Sequence, residues 1–223
     1  MRVKVCGITT VEQAVACADL GVDALGVNFV ASSPRRVDER LARAVVEAVG
    51  ERTLVVAVVA GMTVDAMRAL VERTGVGCLQ LHGDETPADV AALLPHAYKA
   101  VRVASPEDVA VAEAMPGEFV LVDADGRSPA LPEPGRNRGL TGQLGGSGRT
   151  FDWELVVGLA LRRKLVLAGG LTPENVRSAV ERVTPWCVDV ASGVESAPGV
   201  KDMGRVRAFL EAARGAGTTP AGR

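Results

Sequence analysis

Aromatic residues make up only 3% of this 223-residue chain, too few to build the stacking platforms that hold single-stranded nucleic acids. An excess of one charge is also missing. Lys and Arg total 25 against 27 Asp and Glu, a formal net charge of −2, which leaves neither a nucleic-acid footprint nor a polybasic membrane patch. No apolar run reaches the ~20 residues needed to cross a bilayer. The four cysteines, Cys6, Cys17, Cys78 and Cys187, are widely spaced, with no CxxC and no nearby histidine pair. That excludes the usual zinc spacings and a dense disulfide framework. The first residues carry Arg2 and Lys4 and lack a signal-peptide apolar core. These absences predict a reduced, cytoplasmic protein with no metal, no nucleic-acid partner and no membrane partner.

What is present is repetition. Hydrophobic residues are 48% and charged residues 23% of the chain, ordinary for a globular protein. Short β-branched runs recur at Val3–Cys6, Asp23–Val30, Thr53–Ala60, Gly77–His82, Ala97–Val103, Phe119–Ala124, Lys164–Ala168 and Trp186–Ala191. Each is trailed by a helical pattern, several of them capped: Thr10 with Gln13 three residues on fits a helix start, and Asp38 and Thr63 open others. The near-continuous Val, Leu and Ala content of the strands indicates burial on both faces, as in a parallel sheet. Eight strand–helix units in this length fit a single-domain (β/α)8 TIM barrel over residues 1–214. The competing open doubly wound sheet would carry a GxGxxG turn after the first strand, and CGITTVEQ lacks it. Residues 125–150 form a long Gly-, Pro- and Arg-rich loop after the sixth strand, read as a lid over the catalytic face with its middle third a tolerated insertion. The composition of 215–223 predicts a disordered tail.

Strand alternation places Lys4 and Cys6 on the same inward side. Cys6 ends its strand at the rim where barrel enzymes react, and Lys4 lies deeper, as a charge that needs a carboxylate partner. The same parity turns Leu121 and Asp123 inward. An aspartate ending an apolar strand is costly unless it has a partner or a task. Asp189 repeats that situation, and His82 ends the fourth strand; each alone could be a satisfied core polar group, but together they converge on one rim. Two glycine-rich turns follow neighbouring strands, AGGLTPENV with Gly169 and Gly170 and ASGVE with Ser192 and Gly193. Amides freed by glycine at such turns bind phosphate dianions, and the last two loops of a barrel are the usual place. A small phosphorylated substrate is therefore expected.

KVCGIT at 4–9, SPR at 33–35, QLHG at 80–83, VLVD at 120–123, GGSGRTFDW at 145–153, GGLTPENV at 169–176 and VDVASGVE at 188–195 together resemble the phosphoribosylanthranilate isomerases of tryptophan biosynthesis. The motifs run in the family's order over nearly the whole chain. The resemblance implies an aldose–ketose isomerase performing an Amadori rearrangement without metal or organic cofactor. It implies Cys6 as general base and Asp123 as general acid, with Arg35 on the anthranilate carboxylate, His82 supporting the anthranilate side and Asp189 on a sugar hydroxyl. Gly145, Gly146, Ser147 and Gly148 would belong to the lid. For those roles, Asp123 needs a carboxyl raised by desolvation, and Cys6 needs thiolate character from a nearby helix N-terminus and cation. A related ribose-phosphate aminoaldose isomerase or epimerase, and a non-catalytic phosphosugar-binding barrel, are the alternatives. The cysteine that ends strand one weighs against the first, and the presence of both Cys6 and Asp123 against the second. Monomer and homodimer both remain open.

Overall fold

The computed structural model describes residues 1–123 and 153–216. The expected lid, including Gly145–Gly148, and residues 217–223 of the expected tail lie outside the described residues. Eight parallel strands form a closed barrel in chain order, β8 pairing back on β1. The strand–helix units are β1 (Arg2–Cys6) with α1 (Val11–Asp19), β2 (Ala24–Asn28) with α2 (Glu39–Val49), β3 (Leu54–Val59) with α3 (Val64–Thr74), and β4 (Cys78–Leu81) with α4 (Pro87–Leu93). They continue as β5 (Ala97–Arg102) with α5 (Pro106–Ala114), β6 (Phe119–Asp123) with α6 (Glu154–Arg162), and β7 (Lys164–Ala168) with α7 (Val176–Val183). After β8 (Cys187–Val190) a small antiparallel hairpin, β9 (Glu195–Ala197) and β10 (Val200–Lys201), precedes α8 (Met203–Gly215). The barrel and its eight strands agree with the sequence pattern. The hairpin has no counterpart in it, and Gly215, the first residue of the expected tail, is still helical.

Capping explains where the helices begin. The side chains of Thr10, Asp38, Thr63, Thr86, Ser105 and Asp202 each accept a hydrogen bond from a backbone N–H in the first turn. Each such cap contributes about 1 kcal/mol. Thr86 with Asp89 and Ser105 with Asp108 complete reciprocal capping boxes, each followed by a proline in the first turn, where its missing N–H costs nothing.

The apolar residues divide into two cores. The larger fills the layer between sheet and helices, with Val3, Leu25, Leu81, Leu159, Leu167 and Phe209 buried. The smaller lies inside the barrel and joins Val56, Tyr98, Ala100, Leu121, Val166, Ala168 and Cys187. Side chains stack at the N-terminal mouth: the Arg2 guanidinium lies 4.5 Å from the Trp186 ring centroid, and Trp186 meets Phe119 edge-on at 4.8 Å. Phe209 of α8 is fully buried against the sheet. Replacing Phe209 with Ala should lower unfolding stability by about 3–5 kcal/mol, measured by urea denaturation; a loss near zero would contradict the packing of α8 described here.

Candidate active site

Lys4 of β1 is buried inside the barrel, beside its register partner Asp189 on β8. Its Nζ donates to Asp189 Oδ2 at 2.8 Å and to Gln80 Oε1 at 2.9 Å. Burial opposes the ammonium charge, but Asp189, Cys6 and Tyr98 together outweigh it and hold the Lys4 pKa well above its ordinary value. The carboxylate partner that Lys4 requires is thus Asp189. The other oxygen of that carboxylate, Oδ1, is buried without a hydrogen-bond partner among the described residues, and Asp189 lines the cavity above it.

Gln80 carries this network towards the opposite rim. Its Oε1 accepts from both Lys4 Nζ and the Tyr98 hydroxyl, the latter at 3.1 Å. Two donors on Oε1 leave Nε2 to face His82 Nδ1, at 3.2 Å. An amide nitrogen can only donate, so Nδ1 accepts and the imidazole proton sits on Nε2. That nitrogen lies 3.9 Å from Asp123 Oδ2. Burial lowers the His82 pKa, against the pull of Asp123 and with help from Arg102, Lys99 and Lys4. His82 is therefore a neutral imidazole presenting Nε2–H to Asp123.

Cys6 ends β1 one inward step above Lys4. Gly26 on β2 leaves room for it, since a Cβ there would lie 2.6 Å from Cys6 Sγ. Burial pushes its thiol pKa up; Lys4 and Lys201 pull it down and Asp189 pushes it up again, with a net rise. This corrects the expectation of a thiolate favoured by a helix end and a cation. The cations are there, but the desolvation of a strand end packed inside a barrel wins. Burial also dominates elsewhere, raising Cys17 against the pull of Lys201, and Cys78 against Lys4 and the Leu79 backbone, each to about 11.

The glycine turns lie where the sequence places them. Gly169 and Gly170 adopt φ of 92° and 61° after β7, and Ser192 and Gly193 lie in a short 3-10 turn, Ser192–Val194, after β8. Among the described residues the amides of Gly170 and Gly193 have no backbone acceptor. Gly193 is required by contact, since a Cβ there would sit 2.0 Å from Leu171 O. One cavity of about 480 Å³ brings together Cys6, Arg35, His82, Asp123, Asp189, Gly169, Gly170 and Ser192, and Gly193 supports the turn behind it. Arg35 is not free: its Nε and Nη2 grip the two oxygens of Glu195 at 2.8 and 2.6 Å. Gln80, Tyr98, Glu195 and Lys201 were not singled out from sequence. Glu195 lay inside a recognised glycine turn, and Gln80 inside QLHG, so both could have been flagged. Among the described residues no group of three His, Cys, Asp or Glu is placed to hold a metal ion, and no helix is long and apolar enough to cross a membrane.

A closed eight-stranded barrel with ionisable groups gathered around a cavity at its C-terminal rim defines the chain as a (β/α)8 barrel of the kind that carries its chemistry at that rim. The sequence model of N-(5'-phosphoribosyl)anthranilate (PRA) isomerase matches residues 3–212, and the chain belongs to that family. A relative of that name from Myxococcus xanthus is 43% identical over 217 residues, 96% of either chain. One from Azotobacter vinelandii is 40% identical, covering 97% of this chain and 98% of its own. The crystal structure of phosphoribosyl anthranilate isomerase from Thermotoga maritima superposes with a TM-score of 0.82 at 34% identity, covering 96% of this chain and 99% of that one. A further structure of such an isomerase, TM-score 0.79 and 31% identical over 96% of this chain and 99% of that one, holds reduced 1-(o-carboxyphenylamino)-1-deoxyribulose 5-phosphate.

The raised Cys6 pKa has a direct consequence. Thiolate is the form that alkylates, so iodoacetamide labelling of Cys6, followed by peptide mass mapping, should be slow at neutral pH and still accelerating above the free-thiol range of about 8.5. A labelling midpoint below that range would overturn the assignment.

Proposed function

We propose that this enzyme isomerises N-(5'-phosphoribosyl)anthranilate to 1-(2-carboxyphenylamino)-1-deoxyribulose 5-phosphate, with Asp123 as general acid and Cys6 as general base. The observation that carries this reading is the placement of a thiol and a carboxyl on β1 and β6, well separated around the closed sheet, both opening on one cavity. The relative that holds a reduced product analogue supports the substrate class.

The chemistry divides between the two sides of the cavity. Asp123, acting as general acid, gives a proton to the ribose ring oxygen while the anilino nitrogen pushes its lone pair into C1, and the C1–O bond breaks to leave a protonated Schiff base. The Asp123 carboxylate so formed faces the Nε2–H of His82, which opposes no charge and offers a donor. The thiolate form of Cys6, reached when the thiol gives its proton to solvent, then removes the proton from C2, and the C2–H electrons move to form an enolamine. Reprotonation at C1 with loss of the O2 proton gives the ketone. These steps are proton transfers and need no cofactor. Asp189 Oδ1, buried and unpartnered among the described residues, is suited to accept from a sugar hydroxyl. The turns at Gly169–Gly170 and Ser192–Gly193 receive the phosphate, and Arg35 meets the anthranilate carboxylate with the edge that Glu195 leaves open. The reading needs a small phosphorylated substrate but neither nucleic acid nor membrane. It places the chain in the cytoplasm, as monomer or homodimer.

The test follows loss of anthranilate-type fluorescence from freshly made phosphoribosylanthranilate, with indoleglycerol-phosphate synthase in excess to remove product. Wild type should turn over, and Cys6→Ala and Asp123→Asn should each lose about 10²–10⁴-fold in kcat. Undiminished turnover in Cys6→Ala would remove the base assignment, and an inactive, folded wild type would remove the substrate. Gly193→Ala should act on binding instead. Its Cβ would force the two phosphate turns apart, so KM should rise about tenfold or more with kcat less affected. An unchanged KM would show that the turns do not hold the phosphate.

A further inference from the structure

Glu195 is a buried carboxylate with two cationic partners and no place in the proton transfers. One oxygen accepts from Arg35 Nε at 2.8 Å and from Lys201 Nζ at 2.7 Å, and the other accepts from Arg35 Nη2 at 2.6 Å. Lys201, wholly buried, also donates to the backbone oxygen of Cys6 at 2.6 Å and of Ala191 at 3.1 Å. Arg35 in turn presses on the residue after Cys6, for a Cβ on Gly7 would lie 2.4 Å from Arg35 Cδ. One carboxylate thus joins the loop after β2, the end of β1, the turn after β8 and the β9–β10 hairpin.

We propose that Glu195 is a positioning residue that, with Lys201, sets both ends of the site: it fixes the Arg35 fork for the substrate carboxylate and balances the cations beside Cys6. The inference rests on the isomerase reading above. The anionic Glu195 sits between Arg35 and Lys201, so their net field at the sulfur depends on it. The charged or titratable groups facing Cys6 are Lys4 of β1, Tyr98 of β5, Asp189 of β8, Lys201 of β10 and Arg35 of the loop after β2. Removing the Glu195 charge leaves two of these cations uncompensated and favours thiolate. Removing Arg35 leaves Glu195 less compensated and disfavours it. A merely structural role for Glu195 would not move the thiol in opposite directions.

The experiment measures steady-state kinetics and the pH dependence of Cys6 alkylation in wild type, Glu195→Gln, Glu195→Asp, Arg35→Ala and the double variant Arg35→Ala/Glu195→Gln. Glu195→Gln should raise KM about tenfold and shift the Cys6 labelling midpoint down by about half a pH unit or more. Glu195→Asp keeps the charge but loses reach, so KM should rise with the midpoint unmoved. Arg35→Ala should shift the midpoint up, and in its background Glu195→Gln should add little to KM. Should Glu195→Gln fail to fold, KM in Glu195→Asp with and without Arg35→Ala still decides, because the two changes add if Glu195 does not act through Arg35. A midpoint that moves the same way in Arg35→Ala and Glu195→Gln, or does not move in Arg35→Ala, overturns the proposal. So does an additive effect on KM. An inactive wild type whose midpoints shift as stated would fault the substrate rather than the network, because alkylation is read without turnover.

Discussion

An ammonium held inside a closed barrel is the constraint on which the site depends. Barrel interiors are ordinarily filled by aliphatic layers, and isolated charge there carries a desolvation penalty of several kcal/mol. Lys4 is tolerated because Asp189 and Gln80 meet it at hydrogen-bond distance. That requirement then propagates. Gln80 must turn its oxygen to Lys4 and Tyr98, so its nitrogen faces His82, and the imidazole keeps its proton on the side of Asp123. The strands that carry Cys6 and Asp123 are linked through the interior by groups that each have one satisfied orientation. A buried polar network of this kind is specifying when complete and costly when broken. Losing either Lys4 or Asp189 would therefore disturb both sides of the cavity together.

The fold was legible because it is written in local pattern. Eight β-branched runs with capped helices between them give the strand count, and caps such as Thr10, Asp38 and Thr63 are local hydrogen bonds. Inward parity was legible for the same reason, since alternation in a strand has a period of two; Lys4 and Cys6 lie on the same inward side as expected, and the anticipated carboxylate is Asp189. Contacts between residues distant in sequence were not legible. Arg35 and Glu195 are 160 positions apart, and Cys6 and Lys201 are 195 apart. Nothing in ESAPGVK announced a hairpin that returns a lysine beneath the first strand. The thiol's acidity was misjudged because a cation can be anticipated from composition, whereas the degree of desolvation depends on how tightly Gly26 and the strand ends close around the sulfur.

Close approach governs the rim as charge governs the interior. The turns after β7 and β8 come so near that only a glycine fits at 193, and this proximity lets two sets of backbone amides face one anion. Backbone donors suit a phosphate because they add no side-chain charge that would compete with Arg35 for the substrate carboxylate. Arg35 is held in a different way, gripped through Nε and Nη2 by Glu195 while lining the cavity. On the proposed assignment, two anionic groups of one substrate would be met by two chemically distinct receptors, which would fix the direction in which the molecule lies between them.

That direction decides what the reacting carbons meet. Under the proposed reading, with the phosphate at β7 and β8 and the aromatic carboxylate near the loop after β2, the ribose would span the mouth between Cys6 and Asp123. The thiol has no adjacent imidazole to take its proton, since His82 is committed to the other side. Its activation must come from electrostatics alone: Lys4, Lys201 and Arg35 set against Asp189 and Glu195. Three cations against two carboxylates leave a net positive charge, which burial of the thiol still outweighs. The thiol is thereby held towards its protonated form, which protects it from adventitious oxidation or alkylation. A base whose resting state is inert and whose charge environment is held by fixed ion pairs gives up some thiolate population. In return, on the proposed mechanism, it keeps its reactivity for the occupied site.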